Sequence, residues 1–183
     1  VALGRSALYI NTGNNNTAVG FYAIGSGNPH TGSNNTAVGY TTLSSNTTGS
    51  NNSAIGYEAL YANTTGLANT AVGQGALRTN STGYYNTAVG NGAMYANIGG
   101  ACNTAVGGSD NALGQALSAN TYGNYNTAVG NGSLVKNVTG NNNSAFGFQS
   151  LANNLASSNT AVGYQALYNN TTGINSVAVG YQA

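Results

Sequence analysis

The chain has 183 residues, of which only 3% are charged, and it contains 28 glycines, one proline, one cysteine and no tryptophan. Three basic residues against two acidic ones give a formal net charge of +1. The chain therefore has no basic patch for nucleic acid or for an anionic membrane surface, no apolar run of membrane-spanning length, and no cysteine pair for an internal disulfide.

The motif Asn-Thr-Ala-Val-Gly recurs along the whole chain and defines a repeat. It first stands complete at Asn16 to Gly20, and an apolar residue precedes the glycine in every copy. Most steps from copy to copy are 17 residues, and two longer steps are 19 and 23 residues. A fixed period of this length indicates a stack of structural repeats. The marker residues are Leu3, Val19, Val38, Ile55, Val72, Val89, Val106, Val129, Phe146, Val162 and Val179.

Irregular insertions near residues 26–32 and 108–114 account for the two long steps. The second insertion holds a degenerate copy of the motif at 111–114, which indicates a partial extra turn or the remains of a duplication. Both ends of the sequence lie inside a repeat. We therefore expect residues 1–183 to form a single array that is a segment of a longer fibre.

A second apolar column lies five residues after the first in most repeats. An asparagine follows three residues later, and then a turn such as Thr171-Thr172-Gly173. Glycine interrupts every helical pattern, whereas alternating β-branched and small residues favour strands. The sequence predicts an all-β fold, a parallel β-solenoid (β-roll) of about eleven 17-residue coils, with two short extended segments in each coil and ladders of stacked Asn side chains. The second column comprises Leu43, Leu60, Leu77, Met94, Leu134, Leu151 and Leu167.

Side chains alternate across a strand, so the direction of one residue fixes that of its neighbours. We expect the Val column to face the core with the Leu column, which turns the strand Thr inward and the strand Ala outward. An outward Ala that never varies between repeats implies close packing against a second wall of the same coil or against a neighbouring chain. The Ala residues predicted to pack between chains are Ala37, Ala54, Ala71, Ala88 and Ala105.

No combination of residues indicates an enzyme, a cofactor or a metal site. His30 lies beside Pro29 in an insertion and is expected to be a loop residue. Glu58 and Asp110 are about three coils apart, roughly 14 Å by strand spacing, which is too far for a glycosidase pair. The chain also has no cluster of Cys, His or carboxylate residues.

Asn-x-Ser/Thr sequons are numerous. Five of them lie at the turn, where we expect outward side chains that could carry glycans; Asn15 and Asn34, just before strands, are poorer acceptors. The alternative is that the repeat places Asn and Thr side by side without any glycosylation. The five turn sequons are Asn46, Asn63, Asn80, Asn137 and Asn170.

The spaced Asn-Thr-Ala-Val-Gly units, with Ser176 to Gly180, resemble the head repeats of trimeric autotransporter adhesins. Residues Ala161 to Gly173 resemble the shaft repeats of phage-type tail fibres. Together these resemblances cover nearly the whole chain and imply a parallel β-roll, association of three chains, and a rod on a cell or virion surface. The repeat is longer here than in the adhesin heads, and no coiled-coil stalk or membrane anchor lies within these residues.

Three functions are consistent with these patterns. The first is a non-catalytic structural fibre segment, extracellular or on a virion surface, that self-associates as a trimer or end to end. The second is a carbohydrate-binding adhesin module that uses surface tyrosines of the column Tyr40, Tyr57, Tyr164 and Tyr181. The third is an ice-binding solenoid, which the predicted inward direction of the strand Thr disfavours.

Overall fold

The protein is described here from a computed structural model that covers residues 1–25, 27, 29–111 and 114–183. This part of the chain contains eleven strands, which form one parallel sheet in chain order. The strands are β1 Ala2–Leu3, β2 Thr17–Val19, β3 Thr36–Val38, β4 Ser53–Ile55, β5 Thr70–Val72, β6 Thr87–Val89, β7 Thr104–Val106, β8 Thr127–Val129, β9 Ser144–Phe146, β10 Thr160–Val162 and β11 Val177–Val179.

Each strand pairs with the same position of the next coil. Thr70, Ala71 and Val72 of β5 face Thr87, Ala88 and Val89 of β6. This register continues through both insertions, because β2 pairs with β3 and β7 pairs with β8 in the same alignment. The predicted parallel β-solenoid is confirmed. It makes about ten turns, roughly 48 Å along its axis at the spacing of neighbouring strands.

The second predicted extended segment is not a strand. Leu60 has φ +51° and Glu58 has φ +54°, so left-handed residues alternate with others and the backbone coils tightly. Neighbouring coils are still joined there by backbone hydrogen bonds, from Leu60 N to Ala76 O at 3.0 Å and from Ala62 N to Arg78 O at 2.9 Å. The pattern of small and apolar residues identified a buried wall correctly, but its tight turns take the place of a strand.

The core of the coil consists of Ala and Leu side chains from the two walls. The Leu column is confirmed as core: Leu43, Leu60, Leu77, Met94, Leu134 and Leu151 are fully buried, and Leu167 is half-buried against the same cluster. The strand Ala residues lie in the same cluster. Ala37, Ala54, Ala71, Ala88 and Ala105 are each 0% exposed.

The predicted direction of the strand side chains is therefore wrong. The Ala column faces inward against the second wall of its own coil, which was one of the two alternatives, and it does not form the chain-to-chain surface. The strand residues directly before and after each Ala, mostly Thr and Val, face outward. Val19, Val38, Val72 and Val129 are half-buried, whereas Ile55, Val89, Val106, Phe146, Val162 and Val179 are exposed.

The physical reason is the thinness of the coil. A coil of about 17 residues that already encloses one Leu and two Asn side chains has room only for a methyl group from the strand opposite. Interiors are close-packed, so a Val at the position of Ala71 would force the walls apart. Alternation then places Thr70 and Val72 on the outer surface of the strand.

Two ladders of Asn side chains run through the interior. In the first, Asn69 Nδ2 donates to Asn52 Oδ1 at 3.2 Å and to Gly83 O at 2.8 Å, and Asn69 Oδ1 accepts from the backbone N–H of Asn86 at 3.0 Å. In the turn ladder, Asn80 Nδ2 donates to Asn63 Oδ1 at 2.8 Å. The predicted stacking of Asn is confirmed, and these bonds satisfy groups that would otherwise be buried without partners.

His30 interrupts the turn ladder. Its backbone pairs with Asn11 of the preceding coil, so it occupies the position that Asn holds in other repeats. The side chain is fully buried, and neither ring nitrogen has a hydrogen-bond partner. Burial lowers the pKa of His30. The expected loop residue is thus part of the core, although residues 26 and 28 of the first insertion, and 112 and 113 of the second, lie outside the described part.

Candidate functional site

The outer surface of the sheet is a continuous, uncharged face. We name it the Thr–Val face: the first and third side chains of each strand from β2 to β11, mostly Thr and Val, together with Leu3 of β1. Its Val side chains are substantially uncovered, with Val89 and Val106 each 37% exposed. At roughly 48 Å by 10 Å, this mixed Thr and Val face covers about 500 Å², within the roughly 300–600 Å² of the largest apolar patch on a typical monomer, which is often functional.

A corner glycine follows the third strand residue in each coil and turns the chain onto the next face. Gly56 has φ +136°, and a Cβ placed there would lie 2.5 Å from the carbonyl oxygen of Gly73 in the next coil. Only glycine fits this conformation and this close approach without strain. The corner separates the Thr–Val face from a column of partly exposed aromatic residues.

This aromatic column forms two stacks. Phe21, Tyr40 and Tyr57 stack nearly parallel with ring centroids 5.1 and 5.3 Å apart. Phe148, Tyr164 and Tyr181 stack in the same way at 5.4 and 5.1 Å. Tyr40, Tyr57, Tyr164 and Tyr181 are all exposed, which confirms the partial exposure predicted for the column. Between the stacks the column holds smaller polar residues, Gln74, Asn91 and Asn131.

A groove of about 400 Å³ lies where the first stack stops. Tyr57 forms one end, Asp110 and Gln115 from the second insertion and the turn after it form the other, and Gln74 and Asn91 lie between. Gly75 and Gly92 take the positions that Glu58 and Gln149 occupy in other coils, which removes two side chains from the floor. The groove therefore exists because the aromatic column and the column after it both carry smaller residues in the same coils.

Arg78 is held on three sides at the wall of this groove. Its Nε donates to Glu58 Oε2 at 2.6 Å, and its guanidinium carbon lies 5.2 Å from the centroid of Tyr61 and 5.6 Å from that of Tyr95. The hydrogen bond to Glu58 raises the pKa of Arg78. The charge of Glu58 raises the pKa of the neighbouring Tyr57 hydroxyl. The ion pair and the two cation–π contacts fix the guanidinium in one orientation.

Asp110 forms the opposite wall. Its Oδ1 accepts a hydrogen bond from Asn91 Nδ2 at 2.9 Å. Gln115 Nε2 donates to Ser109 O at 3.3 Å and covers Gly92. Glu58 and Asp110, which the sequence placed about three coils apart, thus line one groove across several coils. Their side chains are engaged by Arg78 and by Asn91 respectively.

Four of the five predicted glycosylation residues are not accessible, and the fifth is partly covered. Asn46, Asn63, Asn80 and Asn137 are fully buried in the turn ladder, and Asn170 is half-buried in it, donating to Asn154 Oδ1 at 2.9 Å. The prediction that they project outward is wrong, because each turn Asn bonds to the equivalent Asn of the neighbouring coil and to the carbonyl of the turn, as Asn63 Nδ2 does to Asn46 Oδ1 and Gly66 O. The exposed sequon asparagines are Asn15, Asn34, Asn51, Asn142 and Asn169.

Among the described residues, no group of three His, Cys, Asp or Glu side chains could hold a metal ion. No helix in the part covered by the structure has the length and apolar character needed to cross a membrane. No protein-family model, curated protein or solved structure matches the chain. The resemblance to adhesin heads and tail-fibre shafts therefore depends on the repeat motifs.

Sequence reasoning located the aromatic column but missed the groove. Two signals were present in the sequence: Gln74 and Asn91 replace Tyr in successive repeats, and Gly75 and Gly92 follow them directly. The charged residues Glu58, Arg78 and Asp110 also fall in the same few repeats. Their convergence depends on the coil register and on the path of the second insertion.

Proposed function

We propose that this chain is a rigid, non-catalytic segment of a fibre on a virion or cell surface, in which copies of the chain pack through the Thr–Val face. The observation that carries this proposal is the outward direction of the Val column. An uncharged face of about 500 Å² that loses contact with water on association supplies a driving force, at about 25 cal/mol per Å² of apolar area.

The internal bonding of the coils suits a stiff element. Each coil is joined to the next by strand pairing, by backbone bonds on the second wall and by Asn side chains, so bending the rod would break several hydrogen bonds at once. Homo-oligomers usually have closed rotational symmetry, and copies whose Thr–Val faces all point toward one rotation axis can close such a ring. The resemblance to trimeric adhesin heads and tail-fibre shafts supports a trimer as the first arrangement to test and an extracellular or virion-surface location.

The test measures mass in solution and shape in the electron microscope. We expect particles of about three chain masses that image as thin rods. Val89→Lys places a charge on the Thr–Val face and should produce monomers, since Val89 is already exposed and its replacement leaves the core intact. The matched control is Val138→Lys. Val138 is 40% exposed but lies outside the strands, so the particles of this variant should have the same number of chains as the wild type.

The proposed face is refuted if the wild-type chain is monomeric at about 100 µM, which corresponds to an association free energy weaker than about −5.5 kcal/mol. It is also refuted if Val89→Lys leaves the mass of the particles unchanged. A mass that grows without limit with concentration, and that Val89→Lys does not alter, indicates association end to end instead.

Ice binding is a second candidate, and one observation favours it over the expectation from sequence. The strand Thr residues face outward, so their hydroxyl and methyl groups form a regular row beside the Val column on the parallel sheet. A thermal-hysteresis measurement on about 1 mM protein tests it. The two functions compete for the same face, so hysteresis in the monomeric Val89→Lys variant that exceeds that of the associated wild type would favour ice binding.

A further inference from the structure

Several departures from the repeat lie close together. The chain has five charged residues in 183, and three of them, Glu58, Arg78 and Asp110, line the groove described above. The second insertion contributes Asp110 to the same groove. In repeat proteins, insertions and irregular positions commonly form the binding surface, because the regular positions are committed to stacking.

The Tyr57 ring has one face free of any aromatic neighbour, and this ring borders the groove. Tyr40 covers its other face at 5.3 Å, but the next coil carries Gln74 in place of a ring. The floor beside it is open because Gly75 has no side chain: a Cβ there would meet only the ring of Tyr95 at 3.5 Å and Arg78 Cδ at 3.9 Å. A flat ligand of about one ring thickness can therefore take the place of the missing aromatic residue.

The walls provide fixed polar groups on both sides of that space. Arg78 is held by Glu58, Tyr61 and Tyr95, and Asp110 is held by Asn91, so both present hydrogen-bonding groups whose positions are already fixed before a ligand arrives. The amides of Gln74 and Gln115 add donors and acceptors along the groove. Preorganised groups of this kind reduce the entropy lost on binding.

We propose that this groove binds one neutral pyranose unit of a glycan, with the sugar ring stacked on the free face of Tyr57. A pyranose has an apolar face of C–H groups that packs on an aromatic ring, and a rim of hydroxyl groups that bond to carboxylates, amides and guanidinium. The groove supplies the Tyr57 ring together with carboxylate, amide and guanidinium side chains at this scale. The site lies beyond the corner glycines from the Thr–Val face, so it stays accessible in a fibre that packs through that face.

The charged and polar groups of the groove favour this ligand over two others. An acidic sugar would meet two carboxylates and a single guanidinium that is already paired with Glu58, which makes its binding unfavourable. A quaternary ammonium would stack on Tyr57 and gain from the groove's net charge of −1, but it has no hydroxyl groups to bond to the amides and the guanidinium of the walls. A neutral ring with hydroxyl groups satisfies the polar walls without bringing an unpaired charge.

Saturation-transfer NMR and calorimetric titration of the purified protein, in whatever oligomeric state it adopts, test the proposal. The probes are neutral gluco-, galacto- and manno-oligosaccharides, a uronic-acid oligosaccharide and choline. The decisive variant is Gln74→Tyr, which restores an aromatic ring of the kind found at this position in six other repeats and occupies the free face of Tyr57. We expect a neutral probe to bind the wild-type chain and to bind Gln74→Tyr at least about tenfold more weakly, equivalent to about 1.4 kcal/mol.

The matched control is Asn131→Tyr, which restores a ring in the same column against Phe148, outside the groove. It should bind the neutral probe with unchanged affinity. A second blocking variant, Gly75→Gln, covers the case in which Gln74→Tyr fails to fold. Gln149 and Gln165 already occupy the equivalent position with φ +52° and +51°, close to the +63° of Gly75.

The proposal is overturned if no neutral oligosaccharide binds, if only the uronic-acid probe or choline binds, or if Gln74→Tyr and Asn131→Tyr affect binding equally. Failure here is distinct from failure of the fibre role. Sugar binding is measured on the groove variants, whereas association is measured on the Val89→Lys and Val138→Lys pair.

Discussion

The substitution Asn69→Asp isolates the contribution of the buried amide ladder, because Asp has almost the same shape as Asn. Two donated hydrogen bonds are lost, to Asn52 Oδ1 and to Gly83 O, at about 1 kcal/mol each. The backbone N–H of Asn86 keeps its acceptor. Burying a carboxylate without a cation adds several kcal/mol. The total is roughly 5 kcal/mol at pH 7, comparable with the whole stability of a small domain.

This cost depends on pH in a defined direction. Burial among acceptor oxygens raises the pKa of the introduced carboxyl above its unfolded value of about 3.9. The variant is therefore least destabilised below about pH 4, where the neutral acid donates one hydrogen bond again. Its disadvantage grows as the pH rises from the unfolded value to the raised folded-state pKa, and it stays constant at higher pH, where the full charge is buried.

Urea unfolding of Asn69→Asp and the wild type at pH 7 and at about pH 3.5 measures the difference. The control is Asn153→Asp, since Asn153 is only half-buried and donates one long bond to Asn169 Oδ1 at 3.3 Å. Its change should be within about 0.5 kcal/mol at both pH values. Equal stability of the two variants at pH 7, or a loss at Asn69 that does not change with pH, would refute the account of the ladder.

Three further predictions concern the direction of side chains, the ladder defect and the corner glycines. Ala71→Val should lower the unfolding free energy by about 2 kcal/mol through overpacking, whereas Val72→Thr should lower it by less than about 1 kcal/mol, both measured by urea titration of the dissociated chain. A larger loss for Val72→Thr than for Ala71→Val would mean that Val, and not Ala, faces the core. His30→Asn should stabilise by about 1 kcal/mol, because two unpartnered ring nitrogens are removed. Because the folded-state pKa of His30 is lowered, the urea midpoint of the wild type should fall as the pH drops below about 6.5, and His30→Asn should abolish this fall. Parallel pH profiles of the two proteins would contradict this. Gly56→Ala should lower the stability measured by thermal unfolding by about 2 kcal/mol or more, because its Cβ must move a backbone carbonyl. Gly75→Ala should lower it by only about 1 kcal/mol, because its Cβ makes ordinary van der Waals contacts; equal losses would exclude close approach as the cause.

The sequence by itself determined the architecture. A step of 17 residues repeated along the chain can satisfy its backbone and bury its apolar residues only by stacking coil on coil, so the parallel solenoid, the Leu core and the Asn ladders all follow from the spacing. The partial exposure of the aromatic column followed as well, because Tyr, Gln and Asn alternate there without a fixed size.

Three-dimensional packing decided which side of each strand is inside. Because side chains alternate along a strand, either the Val column or the Ala column had to face inward, and hydrophobicity favoured Val. The coil is too thin for that choice: with Leu77, Asn69 and Asn80 enclosed, only the methyl group of Ala71 fits between the walls. Packing between coils also decided that the Asn residues of the turn sequons lie inside, where they bond to each other along the ladder. The groove likewise depends on tertiary structure, because Glu58, Arg78 and Asp110 meet only after the register of the coils and the path of the insertion are fixed.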